Sequence, residues 1–176
     1  MTRHWSDIGI SGSSGITVVN NTIVYNGHGI YLYKSSGNMI ANNTIINNGI
    51  GVYLHESSSN TVVGNVFTNA GLAVYHSYGN TVVNNTVNGK PLVYFEGVVN
   101  VVIDYPVGQV IAVRSVNITV KDITIENTDI GTEFIETYNS KIENCVIRNN
   151  WYGIYFEGSS GNNTIVNNGQ NGNLQQ

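Results

Sequence analysis

Asparagine recurs along this chain at a nearly constant interval. Asn21, Asn43 and Asn65 lie 22 residues apart, and Asn85 follows after a further 20. A second series has similar spacing, and it comprises Asn38, Asn60, Asn80, Asn100, Asn117, Asn139 and Asn163. A repeat of this length is typical of a solenoid, in which one short structural unit stacks on copies of itself. The interval therefore constrains the fold more than any single residue does.

Within each repeat, apolar residues alternate with other residues. Ile30 and Leu32 follow Gly29, and the next repeat has Val52 and Leu54 at the same two positions. Such alternation places both side chains on one face of a strand. One repeat cannot bury that face alone, so the repeats must stack. We expect the inward side chains to include Ile30, Leu32, Ile40, Ile45, Val52, Leu54, Val62, Leu72, Val74, Val82, Ile123, Ile154 and Phe156.

The composition supports strands and corners. The chain has 28 asparagines and 20 glycines, whereas only 10% of its residues are charged. Asparagine and glycine tolerate the left-handed backbone conformations that tight corners require. Stacked asparagine side chains also hydrogen-bond to the asparagines above and below them. We predict an all-β solenoid in which most asparagines have a structural role.

The repeats predict one domain over residues 1–168. The pattern loosens between Asp104 and Asn127, where we expect shorter coils inside the same domain. Residues 169–176 are polar and are predicted to be a disordered tail. Neither end carries a capping segment, which solenoids need. We therefore expect a fragment of a longer chain, whose ends pair with other coils or other copies.

Several classes of partner and location are disfavoured. The net charge is −4, and no basic run suggests nucleic-acid binding. No apolar run is long enough to span a bilayer, and the first residues lack the apolar segment of a signal peptide. Cys145 is the only cysteine, so we expect a packed thiol and no internal disulfide.

Two motifs carry a resemblance to a known family. Residues 29–38 read Gly-Ile-Tyr-Leu-Tyr-Lys-Ser-Ser-Gly-Asn, and residues 42–45 read Asn-Asn-Thr-Ile. These motifs resemble the repeats of NosD-like proteins, in the group of carbohydrate-binding proteins and sugar hydrolases. The resemblance covers roughly residues 7–168. It implies a single-stranded right-handed parallel β-helix of about eight coils of roughly 22 residues, located at the cell surface or in the periplasm.

The resemblance leaves three classes of function open. The first, which we predict, is a non-catalytic extracytoplasmic module that binds glycan or serves as a surface scaffold. The second is a periplasmic accessory in copper-site maturation. The third is part of a carbohydrate-active enzyme, which would be a lyase, an epimerase or a glycosidase. We expect polysaccharide or neighbouring domains of the same chain as partners, and we predict no cofactor.

Aromatic residues at equivalent repeat positions are the first candidate site. Tyr31 and Tyr53 align on successive coils, and a second row two residues later comprises Tyr33, His55, Tyr75 and Phe95. Parallel strands place such rings about 4.8 Å apart, which roughly matches the rise of a sugar unit along a polysaccharide. The alternative is that stacked rings only stabilise the sheet. We predict these six residues as a glycan-binding site.

Acidic residues form a second candidate site near the C-terminal end. Seven of the eleven carboxylates lie between Asp122 and Glu157. We predict an acidic outer face that contains Asp129, Glu133, Glu136 and Glu157, with Glu133 aligned to Tyr155 and pointing outward. The alternative is a solvated surface of mutually paired charges.

Copper binding has only weak support in the residues themselves. Copper sites use converging His, Met and Cys ligands. His55 and His76 fall on adjacent coils, but His4, His28, Met39 and Cys145 are scattered. We predict no metal site, and His55 and His76 are the candidate ligands if one exists.

We predict that the chain does not cleave pectin, polygalacturonate, alginate or other uronic-acid polymers. Such catalysis needs acid, base or cation-binding groups on neighbouring coils, and here His28 and Glu133 are about 100 residues apart. Reducing-end release and the absorbance of unsaturated products, with and without calcium, measure this. Turnover that disappears in Glu133→Gln would contradict the prediction.

Overall fold

The computed structural model describes residues 5–174, and every regular element among them is a β-strand. The strands form about eight turns of parallel β-solenoid, spaced about 22 residues apart. The predicted all-β solenoid is therefore confirmed. The structure divides into two compact units that meet in sequence between Gly89 and Lys90.

Each turn of the first unit contains one longer strand and two short ones. The longer strands pair in the order β1 (Ser6–Ser11), β4 (His28–Tyr33), β7 (Ile50–His55) and β10 (Leu72–Tyr75). The second sheet consists of β2 (Thr17–Val19), β5 (Met39–Ala41), β8 (Thr61–Val63) and β11 (Thr81–Val83). The third side of each turn consists of β3 (Thr22–Val24), β6 (Thr44–Ile46), β9 (Val66–Thr68) and β12 (Thr86–Val87).

The second unit repeats this three-sided arrangement, except that residues 104–108 replace a third strand in its first turn. Its longer strands are β13 (Lys90–Glu96), β15 (Gln109–Val113), β18 (Ile130–Ile135) and β21 (Tyr152–Glu157). The next side consists of β14 (Val99–Ile103), β16 (Val116–Lys121), β19 (Lys141–Glu143) and β22 (Thr164–Val166). The last side consists of β17 (Thr124–Glu126), β20 (Val146–Arg148) and β23 (Gly169–Asn171).

Strand β23 shows that the predicted disordered tail over residues 169–176 is wrong for its first part. Residues 169–171 pair in parallel with residues 146–148 of β20. The ladder continues here, because Asn168 Oδ1 accepts from the Cys145 N–H and Asn173 Oδ1 accepts from the Asn150 N–H. Residues 175–176 of the predicted tail lie outside the described residues.

The predicted inward residues form the core with two exceptions. Ile30, Leu32, Val52 and Leu54 have no exposed surface, and the other predicted residues up to Ile123 are buried as well. Ile154 and Phe156 are only partly buried, although both pack against the core of the second unit. Both lie on β21, which is the edge strand of its sheet and has a neighbouring turn on one side. The alternation therefore predicts their direction correctly but overestimates their burial.

Asn65 shows why asparagine recurs once per turn. Its Nδ2 donates to the Ile40 carbonyl at 2.9 Å and to Asn85 Oδ1 at 3.0 Å. Its Oδ1 accepts from the backbone N–H and the side-chain amide of Asn43, at 2.9 and 3.0 Å. Asn65 is fully buried, so these bonds satisfy polar groups that water does not reach.

Cys145 occupies the equivalent ladder position in the second unit. Its N–H donates to Asn168 Oδ1 at 2.8 Å, and its sulfur contacts the Val120 carbonyl at 3.7 Å. The thiol is buried and free, as the sequence predicts. Burial raises the pKa of the Cys145 thiol, which keeps it protonated and unreactive near neutral pH.

Corner geometry explains two other features of the repeat. Many corner residues have a positive φ, including Asn42 at 53° and Asn84 at 57°, a conformation that asparagine tolerates well. Gly51 is required for a different reason, because an added Cβ would overlap the Gly71 carbonyl and lie 2.6 Å from Phe67 Cδ1. The repeated glycine therefore allows close packing of the turn against the core.

Replacement of Asn65 by Ala tests the ladder. We expect the free energy of unfolding to fall by roughly 2 to 4 kcal/mol, because buried partners on both neighbouring turns lose their hydrogen bonds. Urea unfolding followed by circular dichroism measures the change. The control Thr81→Ala removes an exposed outward side chain, and its expected effect is within about 0.5 kcal/mol. Equal effects of the two replacements would contradict the role of the ladder.

Candidate functional site

The outward surface of β1, β4, β7 and β10 carries most of the aromatic side chains of the first unit. Register places Tyr31 beside Tyr53, Tyr33 beside His55, and His55 beside Tyr75. These alignments confirm the two rows that the sequence predicts in this unit. We call the row of Tyr33, His55 and Tyr75 the outer row. We call the surface the aromatic face, and it comprises Trp5, His28, Tyr31, Tyr33, Tyr53, His55 and Tyr75.

The sequence predicts that Phe95 continues the outer row, and this prediction is wrong. It lies on β13 of the second unit, where its register partner is Ala112. Its ring packs against the core of that unit. The preceding residue, Tyr94, instead donates its hydroxyl hydrogen bond to Glu96 Oε2 at 2.8 Å. The strand alternates, so a ring at position 95 faces inward when Tyr94 and Glu96 face outward.

The rings of the outer row meet edge to face. The planes of Tyr33 and His55 are inclined by 70°, and those of His55 and Tyr75 by 82°. Their centroids are 5.1 and 4.8 Å apart, which is a favourable geometry for aromatic pairs. This arrangement stabilises the sheet but does not present a flat series of plates to a sugar polymer. Glycan binding by these residues stays a prediction that this geometry does not favour.

Tyr31, His55 and Glu56 form a polar chain across two turns. The Tyr31 hydroxyl lies 2.9 Å from His55 Nδ1, and His55 Nε2 lies 3.7 Å from Glu56 Oε1. The Glu56 carboxylate favours the imidazole proton on Nε2, and Nδ1 then accepts from the Tyr31 hydroxyl. Burial, with the nearby Tyr33 and Glu56, raises the pKa of Tyr31. The phenol is therefore neutral at physiological pH.

His28 lies among three aromatic rings of the same face. Its centroid is 5.2 Å from that of Trp5, 5.4 Å from that of Tyr31 and 5.5 Å from that of Tyr53. Its Nδ1 is buried and has no hydrogen-bond partner among residues 5–174. Burial lowers the pKa of His28, since the charged imidazolium loses its solvation there.

The prediction of an acidic outer face is wrong for three of its four residues. Asp129, Glu133 and Glu157 are buried, and Glu133 is only 1% exposed. The predicted alignment of Glu133 with Tyr155 is correct. Glu136 is the exception, because it is partly exposed and forms an ion pair with Arg114 at 2.9 Å. A repeat position predicts the register of an acidic residue but not the packing around its carboxylate.

Asp129 is buried because its carboxylate is used within the fold. Its Oδ1 accepts from the Ile130 N–H at 2.8 Å and from the Thr128 hydroxyl at 3.0 Å. It also lies 3.3 Å from Gln109 Nε2. Three donors to one oxygen stabilise the carboxylate at this corner. This geometry is that of a structural acid.

The potential copper ligands are dispersed in the structure. His55 aligns with Tyr75, so His76 follows on the next turn as predicted, and its ring packs against that of Tyr75. Met39 lies on another side of the first unit, Cys145 is buried in the second unit, and His4 lies outside the described residues. Within the part of the chain that the structure describes, no three His, Cys, Asp or Glu side chains gather closely enough to hold a metal ion. A complete copper site does not fit these residues.

The sequence does not predict the ring contacts of Trp5 and His28 or the Tyr31–His55 hydrogen bond. Trp5 precedes β1, so the repeat pattern assigns it no row. The distance between Tyr31 and His55 depends on their rotamers as well as on the register. Their spacing of 24 residues, two more than the repeat, is the only signal in the sequence.

Comparison with known families assigns the whole chain. The family described as periplasmic copper-binding protein (NosD) matches residues 1–100 and again residues 96–176. The chain belongs to the NosD family. The resemblance that the motifs indicate is thereby confirmed for both units of this NosD-family chain. No curated protein and no solved structure gives a significant match. Among the described residues, no helix is suited to crossing a membrane.

We predict that acid destabilises the first unit through His28. The pKa of His28 is lowered below 6.5 on folding, so protonation favours the unfolded chain. This contribution is fully present above pH 6.5 and is lost as pH falls below that value through the pKa of folded His28. Urea unfolding across this pH range is expected to show a flatter pH dependence for His28→Phe, which keeps an aromatic ring there. An unchanged pH dependence would contradict the prediction.

Proposed function

We propose that this chain is a non-catalytic accessory in periplasmic copper-site maturation, and that its aromatic face binds a protein partner of that process. The family match, which extends over both units, is the observation that carries the proposal. The family's description supports a periplasmic location and a connection with copper. The aromatic face offers such a partner an exposed tryptophan beside a row of tyrosine and histidine rings.

Chemistry and exposure favour this face as a protein-binding surface. Tyrosine and tryptophan provide much of the binding energy in protein interfaces, and Trp5 is 70% exposed. The described part of the first unit has only three charged residues, Asp7, Lys34 and Glu56. Few charges must therefore be desolvated when a partner binds. The parallel sheet beneath the rings limits their motion, which lowers the entropy cost of association.

Copper in this proposal is cargo. Among the described residues no three His, Cys, Asp or Glu side chains gather at one point, and copper binds most firmly where several His, Met or Cys groups converge. A scaffold that brings a copper donor and an acceptor enzyme together does not need a closed site of its own. The glycan-binding alternative lacks support from the ring geometry and from the family description.

The test measures the copper content of a periplasmic copper enzyme in cells that depend on this chain. The chromosomal gene is replaced by one encoding Trp5→Ala with Tyr33→Ala. We expect a several-fold fall in the copper bound per enzyme, because the partner loses its aromatic contacts. The control is Trp151→Ala, which removes a tryptophan of the second unit that is 45% exposed. We expect full copper content in that strain.

Two outcomes would overturn the proposal. The first is an unchanged copper content after deletion of the whole chain, which would remove any role in maturation. The second is full copper content with the folded double variant, which would exclude the aromatic face. Glycan binding would be identified instead by a different combination of results. Polysaccharide gels would retard the purified chain, the double variant would lose this retardation, and the copper content would be unchanged.

A further inference from the structure

We propose that the aromatic face is a one-electron relay in which Tyr31 is oxidised to a neutral tyrosyl radical while its proton moves to His55. This activity goes beyond a binding surface, because it assigns redox chemistry to the same side chains. It rests on three features of the described residues: a phenol hydrogen-bonded to an imidazole, closely spaced aromatic rings, and an exposed tryptophan at the edge of the aromatic face.

The proton has an acceptor in place. The Tyr31 hydroxyl lies 2.9 Å from His55 Nδ1. When one electron leaves the phenol, its O–H bond breaks and an N–H bond forms at Nδ1. The products are a neutral tyrosyl radical and an imidazolium, and the oxidant gains one electron. The Glu56 carboxylate, 3.7 Å from His55 Nε2, stabilises the positive charge that the imidazole acquires.

The rings provide a route for the electron. Trp5 is 70% exposed, so a soluble oxidant reaches it directly. Its centroid is 5.3 Å from that of Tyr31, and the Tyr53 and Tyr33 centroids are 5.4 and 6.3 Å from that of Tyr31. Rings this close exchange electrons rapidly. The oxidising equivalent settles on Tyr31 because proton transfer to His55 accompanies its oxidation there.

The source of oxidant follows from the proposed cargo. Copper(I) reduces hydrogen peroxide by one electron and so generates hydroxyl-type oxidants. Such an oxidant abstracts one electron from Trp5. Tyr31 then gives one electron to the oxidised Trp5, and the phenol proton of Tyr31 moves to His55. A small thiol or another one-electron reductant returns the electron to Tyr31, and the proton returns from His55. This source rests on the proposed function, whereas the relay itself does not.

Laser flash photolysis of the purified chain tests the relay without copper. Photo-oxidised tris(bipyridine)ruthenium is the probe, and tyrosyl radical is followed by absorption and electron paramagnetic resonance. We expect Tyr31→Phe, which keeps the ring, to lower the yield several-fold. Trp5→Phe should slow radical formation several-fold. The control Tyr25→Phe changes a tyrosine outside the aromatic face that is 51% exposed, and we expect its yield to stay close to that of wild type.

The role of His55 is separated from packing by an isotope effect. In wild type we expect slower radical formation in deuterated water, because the proton moves with the electron. His55→Leu should lower the rate and abolish this isotope effect, with folding confirmed by circular dichroism. Equal radical yields in wild type and Tyr31→Phe would overturn the proposal. An unchanged isotope effect in His55→Leu would overturn it as well. Failure of the copper experiment alone would leave this result intact.

Discussion

Buried side-chain amides hold each turn of the first unit at a fixed height relative to the next. A corner leaves backbone N–H groups that no strand partner satisfies, and the amide of the next turn accepts from them. Asn43 and Asn65 perform this role in succession. Because an unsatisfied buried N–H is costly, the amide column determines which residue lies above which. The register of the sheets and the position of every outward side chain depend on it.

The aromatic face follows from that register. Parallel strands without a shift place equivalent residues next to each other, so a tyrosine or histidine repeated once per turn becomes a continuous row of rings. The edge-to-face contacts within the row support the sheet. The Tyr31–His55 hydrogen bond connects two rows diagonally, and it couples a phenol to an imidazole on the following turn. The proposed electron relay therefore uses the same geometry as the structural stacking of the rings.

The second unit uses the same turns for different surface chemistry. Ion pairs connect successive turns, as in Arg114 with Glu136 and Glu126 with Arg148, each pair 22 residues apart. Exposed pairs of this kind contribute little to stability. The buried Asp129, held by three donors, is a structural acid. The ladder position beside it belongs to Thr128, whose N–H donates to Asn150 Oδ1. The scaffold thus tolerates exchange of outward and corner residues while its core alternation is preserved.

The sequence alone determined the solenoid, the pitch of about 22 residues, the inward face and the family, because each depends on spacing that a repeat displays directly. It also predicted the pairing of Tyr31 with Tyr53 and of Tyr33 with His55. Only the tertiary structure decided burial and direction where the repeat changes, as at Phe95, Glu133 and the strand over residues 169–171. The contacts of Trp5 and the Tyr31–His55 bond also required it, because rotamers and corner shape set distances that residue spacing does not contain.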